Sequence, residues 1–110
     1  MPKIKVPLSV QKNAKKALVN RNKFDDPPMG RPGLTTARQL SKGFLEPNRE
    51  KKAFSFLSRT IKAQKMTPGK RREVAINGWG GDEMLKFLKK RRKKWGVMYH
   101  FLLFMAKNSF

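Results

Sequence analysis

The strongest chemical feature of this sequence is its unbalanced positive charge. The 110 residues include 27 lysines and arginines against seven acidic residues, which gives a formal net charge of +20. A chain with this charge repels itself unless an acidic partner neutralises it. The composition therefore indicates one of three partner classes, namely nucleic acid, an anionic membrane surface or an acidic protein surface. We expect no small-molecule substrate.

Two groups of basic residues are candidates for contact with such a partner. One is a run of six consecutive cations at 89–94, which cannot all lie on one face of a helix and so must surround it. This segment either frays into solvent or lies against an acidic partner. The other is the polar face of an N-terminal helix, for which a solvated surface is the simpler interpretation. The residues predicted to bind nucleic acid or another acidic surface are Lys12, Lys15, Lys16, Lys89, Lys90, Arg91, Arg92, Lys93 and Lys94.

The sequence offers little for catalysis. His100 is the only histidine, and no carboxylate or nucleophile lies beside it, so a packed neutral imidazole is favoured over a base. Asp25 and Asp26 have no histidine or glutamate nearby in sequence, which favours capping or pairing with arginine over metal binding. Cysteine is absent, and the glycines of 78–81 match no phosphate-binding fingerprint. We expect no enzyme activity, catalytic residue, metal or cofactor.

An apolar segment follows the basic run. Residues 95–106 are almost continuously apolar but are shorter than the roughly 20 residues that a membrane-spanning helix needs. The segment is a core element, a docking segment for another protein, or an interfacial anchor beside anionic headgroups. The first two are favoured, because a small domain with few other large apolar runs needs this surface buried. The residues predicted for protein docking are Trp95, Tyr99, Phe101, Leu102, Leu103 and Phe104.

The elements that would position these residues are helical. Apolar residues recur at helical spacing within 10–18, 53–61 and 85–95. The first of these stripes predicts a helix from about Ser9 to Asn22. Residues 34–41 predict a shorter helix, with a threonine, Thr35 or Thr36, as its N-cap and Gly43 as its terminator. We therefore expect an all-α fold, a small bundle of three to five helices.

Irregular segments separate the predicted helices. Residues 24–33 are rich in proline and glycine and predict a loop, and residues 66–72 predict an exposed turn. The short apolar run at 74–76 fits either a strand or a helical turn.

The four residues Trp79, Gly80, Gly81 and Asp82 predict a structural joint before the basic helix. Trp79 supplies a large side chain to bury, and the glycines permit backbone conformations that are costly for other residues. Asp82 is placed to cap the following helix. We expect Trp79 to be buried and at least one of the glycines to have an unusual backbone conformation.

The length fits one small domain with a modest core. The N-terminus lacks the apolar core of a secretory signal, so none is expected. We divide the chain into an extended arm (1–8), a helical core (9–82), a basic helix (83–95) and an apolar docking tail (96–110).

Several motifs carry a resemblance. They are Lys5-Val6-Pro7, Ser9-Val10-Gln11-Lys12, Ala14-Lys15-Lys16-Ala17-Leu18, Gly33-Leu34, Ala37-Arg38-Gln39-Leu40 with Gly43, Phe56-Leu57-Ser58-Arg59 and Trp79-Gly80-Gly81-Asp82. With them, the sequence from Lys5 to Asp82 resembles an uncharacterised small basic domain encoded by large DNA viruses of algae and protists and by some phages. That domain usually continues after the third helix into an aromatic, histidine-bearing region, whereas Thr60 follows Arg59 here.

The resemblance implies a viral origin and a virion component. We therefore favour a minor capsid protein that docks on larger capsid proteins through its apolar tail and faces an acidic partner with its cations. Its expected location is the inner side of the capsid, and the host cytoplasm or nucleus during assembly. The alternative is a nucleic-acid-binding protein without sequence preference, which the composition favours.

Overall fold

A computed structural model describes residues 2–93, which form five α-helices and a two-stranded sheet. The helices are α1 (Leu8–Asn20), α2 (Arg31–Ser41), α3 (Glu50–Met66), α4 (Lys70–Gly78) and α5 (81–93). The strands are β1 (Ile4–Lys5) and β2 (Phe44–Leu45), and single 3-10 turns occupy Arg21–Lys23 and Pro47–Arg49. The predicted all-α fold with three to five helices is confirmed.

The core forms where the apolar stripes of the helices meet. The fully buried apolar side chains of the helices are Val10, Ala14, Ala17, Ala37, Leu40, Ala53, Leu57, Met84 and Leu88. In α1 the buried side is made mostly of alanines, whose small side chains let α2 and α4 approach closely. Each fully buried leucine contributes about 1.5–3 kcal/mol relative to an exposed one.

The extended N-terminal segment belongs to the fold. β1 pairs antiparallel with β2, with Ile4 opposite Leu45, and the Val6 amide donates to the Gly43 carbonyl at 3.1 Å. Ile4 and Val6 are buried in the core. Residues 2–7 of the predicted arm thus precede the first helix and contribute to the core, whereas Leu8, the last residue of that arm, begins α1.

Two helix boundaries differ from the sequence prediction. α1 ends at Asn20 rather than Asn22, where the chain tightens into a 3-10 turn. α2 begins at Arg31 rather than residue 34. Pro32 fits the first turn of a helix, because backbone N–H groups in that turn have no acceptor within the helix and proline lacks the N–H. The predicted threonine cap is wrong, since the hydroxyls of Thr35 and Thr36 donate to carbonyls four residues back, inside the helix.

The start of α4 was also mispredicted. Residues 70–72, predicted as exposed turn, are its first residues. The N-cap is Gly69, whose amide and carbonyl are both held by the side chain of Gln64 at 3.1 Å. The helix also contains the apolar run 74–76, which sequence alone left undecided.

The predicted joint connects α4 to α5. Trp79 is 8% exposed, and both Gly80 (φ 106°) and Gly81 (φ 75°) have left-handed backbone conformations, as expected. Asn13 of α1 fastens the joint by donating to the Gly80 carbonyl at 2.9 Å. Asp82 is not the N-cap, because α5 begins one residue earlier and Asp82 lies exposed in its first turn.

Candidate functional site

A basic face runs along α3. The buried side of this helix is Ala53, Leu57 and Ile61, spaced four residues apart. Lys51 and Arg59 lie two residues out of step with that stripe, which places them on the opposite side of the helix. Both are exposed, as is the neighbouring Lys52.

Residues 89–93 of the basic run form the described end of α5, which packs against α3. Met84 and Leu88 of α5 are fully buried, so the helix is held by its apolar side. Arg91 donates from Nε to the carboxylate of Glu50 at 2.6 Å, and both side chains are partly buried. The guanidinium of Arg92 lies over the ring of Phe54, 4.1 Å from the ring centre. These contacts bring the basic run and the basic face of α3 together.

A groove of about 800 Å³, here called the α3–α5 groove, lies between the two helices. Its lining residues are Glu50, Lys51, Phe54, Ser55, Ser58, Arg59, Leu88 and Arg92. Phe54 supplies accessible apolar surface, Leu88 beneath it is fully buried, and Lys51, Arg59 and Arg92 supply positive charge. The Ser58 hydroxyl is buried and has no hydrogen-bond partner within the described part of the chain.

Two shallower recesses border this groove. The first, about 510 Å³, is lined by Phe54, Lys89, Lys90, Arg92 and Lys93. The second, about 520 Å³, is lined by Asn48, Lys51, Lys52, Ser55, Phe56, Arg59 and Trp79. The rings of Phe56 and Trp79 stack there with their centres 4.9 Å apart. Phe54 borders the groove and the first recess, and Lys51 and Arg59 border the groove and the second.

The three cavities together form one positively charged surface, here called the α3–α5 surface. Its cations are Lys51, Lys52, Arg59, Lys89, Lys90, Arg92 and Lys93. Among the described residues that line it, the single acid is Glu50, which Arg91 already neutralises. Positive charge next to half-buried aromatic rings is suited to an anionic ligand that also has flat apolar parts.

The predicted binding residues are divided by the structure. Lys89, Lys90, Arg92 and Lys93 lie on the α3–α5 surface, whereas Arg91 is used in the ion pair with Glu50. Lys12, Lys15 and Lys16 are exposed on α1, which packs chiefly against α2 and α4, and they line none of the three cavities.

Other predicted residues lie outside the described part. They are Lys94, all six predicted docking residues (Trp95, Tyr99, Phe101, Leu102, Leu103 and Phe104) and His100. Within residues 2–93, no helix has the length and apolar character needed to cross a membrane.

Acidic residues gather elsewhere. A separate recess of about 540 Å³ contains Glu73, Asp82 and Glu83 together with Lys65. Asp26 pairs with Arg71 of α4, an arginine distant in sequence. In residues 2–93, no cluster of histidine and acidic side chains has an arrangement suited to a metal ion.

No protein-family model matches the chain, and neither the curated proteins nor the solved structures searched gave a significant match. The resemblance to the viral domain therefore stays a prediction.

Sequence reasoning missed the α3 half of the surface. Lys51, Lys52 and Arg59 were not singled out, because the polar side of an amphipathic helix has the same pattern whether it meets water or a ligand. The available signal was the pair of phenylalanines on this basic helix, Phe54 and Phe56, which are able to stack bases but at this spacing are more often core residues.

Proposed function

We propose that this protein binds nucleic acid through the phosphate backbone, without sequence preference, using the α3–α5 surface. The observation that carries the proposal is the convergence of cations from two helices around one acid that is already paired. Lysine and arginine contacts to phosphate release condensed counterions, and this release drives binding without reading the bases.

A membrane surface fits the described residues less well. Interfacial helices insert an exposed apolar side into the lipid. The apolar side of α5 is already occupied, since Met84 and Leu88 are fully buried in the core and Leu85 and Phe87 pack against it. The described part of α5 therefore presents charge without an apolar side to insert.

A role as minor capsid protein remains a prediction from the resemblance, because its docking residues lie outside the described part of the chain. A virion protein that faces a packaged genome would use the same basic surface. The two roles are therefore compatible, and nucleic-acid binding can be tested without a virion.

The test compares two triple variants that remove the same charge. The first changes Lys51, Lys52 and Arg59 to glutamine, and the control changes Lys12, Lys15 and Lys16. Fluorescence anisotropy gives the Kd for a labelled oligonucleotide over a range of salt concentrations. For the α3 variant we expect at least tenfold weaker binding at about 0.15 M salt, and a salt slope smaller by about 0.7–0.9 for each lost phosphate contact. The α1 variant should lose less than about threefold, because its lysines lie off the proposed surface.

Three outcomes would contradict the proposal. Equal losses in both variants would show that net charge acts without a localised surface. Failure of the parent protein to bind at about 0.15 M salt would reject the function itself. Binding to anionic phosphatidylserine vesicles but not to the oligonucleotide would make lipid the partner.

A further inference from the structure

We propose that the α3–α5 groove holds an unpaired base, so that the preferred partner is single-stranded nucleic acid, either DNA or RNA. This inference rests on the proposed function and specifies its substrate class. The base would contact the apolar part of the groove, whereas the phosphate backbone would contact the cations around the groove.

The groove combines the features that a base and its phosphates need. Its volume of about 800 Å³ lies within the range of small-ligand pockets. Phe54 provides apolar surface for the flat face of a base, and the cations Lys51 and Arg59 are placed to meet the flanking phosphates. Aromatic side chains beside a positively charged groove are the usual platform for single strands.

Phe54 is the central residue of this platform. It is half-buried, and it borders both the groove and the basic recess on α5. The exposed guanidinium of Arg92 lies 4.1 Å from its ring centre, and a guanidinium plane also stacks on bases. Phe56 lies outside the groove and lines the second recess, where its ring stacks on Trp79.

One polar group in the groove is unused. The Ser58 Oγ is buried without a partner in the described residues, although serine hydroxyls in helices commonly bond to a carbonyl four residues back. A hydroxyl both donates and accepts, so a shift of the side chains that cover it would let it pair with the edge of any base. The groove thus offers stacking and one hydrogen bond without selecting a sequence.

A duplex would leave the groove unused. Paired bases are stacked on one another and do not present their faces to a protein. A preference for single strands is therefore the measurable consequence of a base in the groove, and a surface that reads only phosphate would not show it.

The experiment uses the full chain and four probes of equal phosphate number per strand. They are oligo-dT, oligo-rU, a deoxyribose-phosphate strand without bases, and a DNA duplex. We expect the parent to bind oligo-dT or oligo-rU about tenfold more tightly than the strand without bases, the size expected for one stacked base. Phe54→Leu should reduce this ratio to less than about threefold and leave the salt slope unchanged.

Phe87→Leu is the matched control. Phe87 also packs against the core and has an arginine, Arg91, 5.9 Å from its ring centre, but it lines none of the three cavities. Its replacement should keep the preference for base-bearing strands. Thermal melting of both variants identifies any loss of folding.

A second variant gives evidence that does not depend on removing the ring. Phe54→Trp keeps an aromatic side chain, and its added fluorescence should be quenched by oligo-dT or oligo-rU but not by the strand without bases. The fluorescence of the parent under the same additions gives the background from its own two tryptophans.

Failure of this inference and failure of the proposed function give different results. Equal affinity for base-bearing and base-free strands, with a preserved salt slope, would overturn the base site and leave backbone binding intact. Duplex binding as tight as single-strand binding would do the same. If an apolar protein segment fills the groove instead, the base-bearing and base-free strands will also bind equally. If the parent protein binds none of the four probes, both proposals are rejected.

Discussion

At the start of α5, two glycines allow a turn that no pair of larger residues could make in the same space. A side chain on Gly80 would overlap the Cβ of Met84 and press against Val10, and its φ of 106° disfavours any residue with a Cβ. Because Met84 and Val10 are both fully buried, neither can move aside cheaply. The joint thereby fixes where α5 begins, and with it the direction in which the basic run lies.

The variant Gly80→Ala tests this role. We expect it to lower the free energy of unfolding by more than about 2 kcal/mol, from backbone strain and overpacking together. Gly69→Ala is the control, because a Cβ there meets no atom within 4 Å and its φ is −147°. The control should cost less than about 1 kcal/mol, the loss expected for a changed N-cap. Equal destabilisation of the two variants in urea unfolding would contradict this account of the joint.

Among the helices, α5 both completes the core and carries surface cations, and Arg91 is the residue that both roles require. Its apolar side completes the core, and its cations form part of the α3–α5 surface. Arg91 belongs to the basic run but is used to fasten α5 to Glu50 of α3 at 2.6 Å. The ion pair therefore stabilises the helix packing, and its carboxylate is the one negative charge among the described residues of the proposed surface.

Glu50→Gln should separate these two roles. Loss of the charged hydrogen bond should lower the free energy of unfolding by about 1 kcal/mol. Affinity for a single-stranded oligonucleotide should nevertheless rise about threefold, because a negative charge is removed and Arg91 becomes available to phosphate. Glu46→Gln is the control. Glu46 forms an ion pair with Arg49, three residues away, at 3.7 Å, and neither residue lines any of the three cavities. If Glu50→Gln folds but binds the oligonucleotide more weakly than the parent protein does, the placement of the surface is contradicted.

For the whole molecule, charge opposes folding as well as favouring a partner. The net charge of +20 resides on 110 residues, and the acids are too few to offset it. Three of the seven acids line a recess separate from the α3–α5 surface. Repulsion among the remaining cations is long-ranged at low ionic strength and is screened as salt is added.

We therefore expect the Tm of the protein to rise by several degrees between about 0.01 and 0.15 M sodium chloride, over which the screening length falls from about 30 to 8 Å. The variant with Lys12, Lys15 and Lys16 changed to glutamine should show a smaller rise, because less repulsion remains to be screened. Differential scanning calorimetry measures both. A Tm that is constant or falls over this range would show that repulsion does not limit stability.

The prediction from sequence succeeded where a regular pattern decides the structure. The apolar stripes of α1, α3 and α5 and the glycines after Trp79 carry strong local signals, because side-chain spacing and backbone limits act within a few residues. The boundaries at Pro32 and Gly69 were misjudged, since Pro32 fits both a loop and the first turn of a helix, and Gly69 fits both a loop and an N-cap.

The sequence by itself determined the helical class and the buried joint, and it predicts an acidic partner, since all three follow from composition and short-range spacing. Only the tertiary structure decided which cations share a surface. Arg91 and Glu50 are 41 residues apart, and Arg92 reaches Phe54 only because Met84 and Leu88 bury α5 against the core. Burial of apolar area is non-directional, so the residues that meet across a groove are set by how whole helices pack and not by their own sequence.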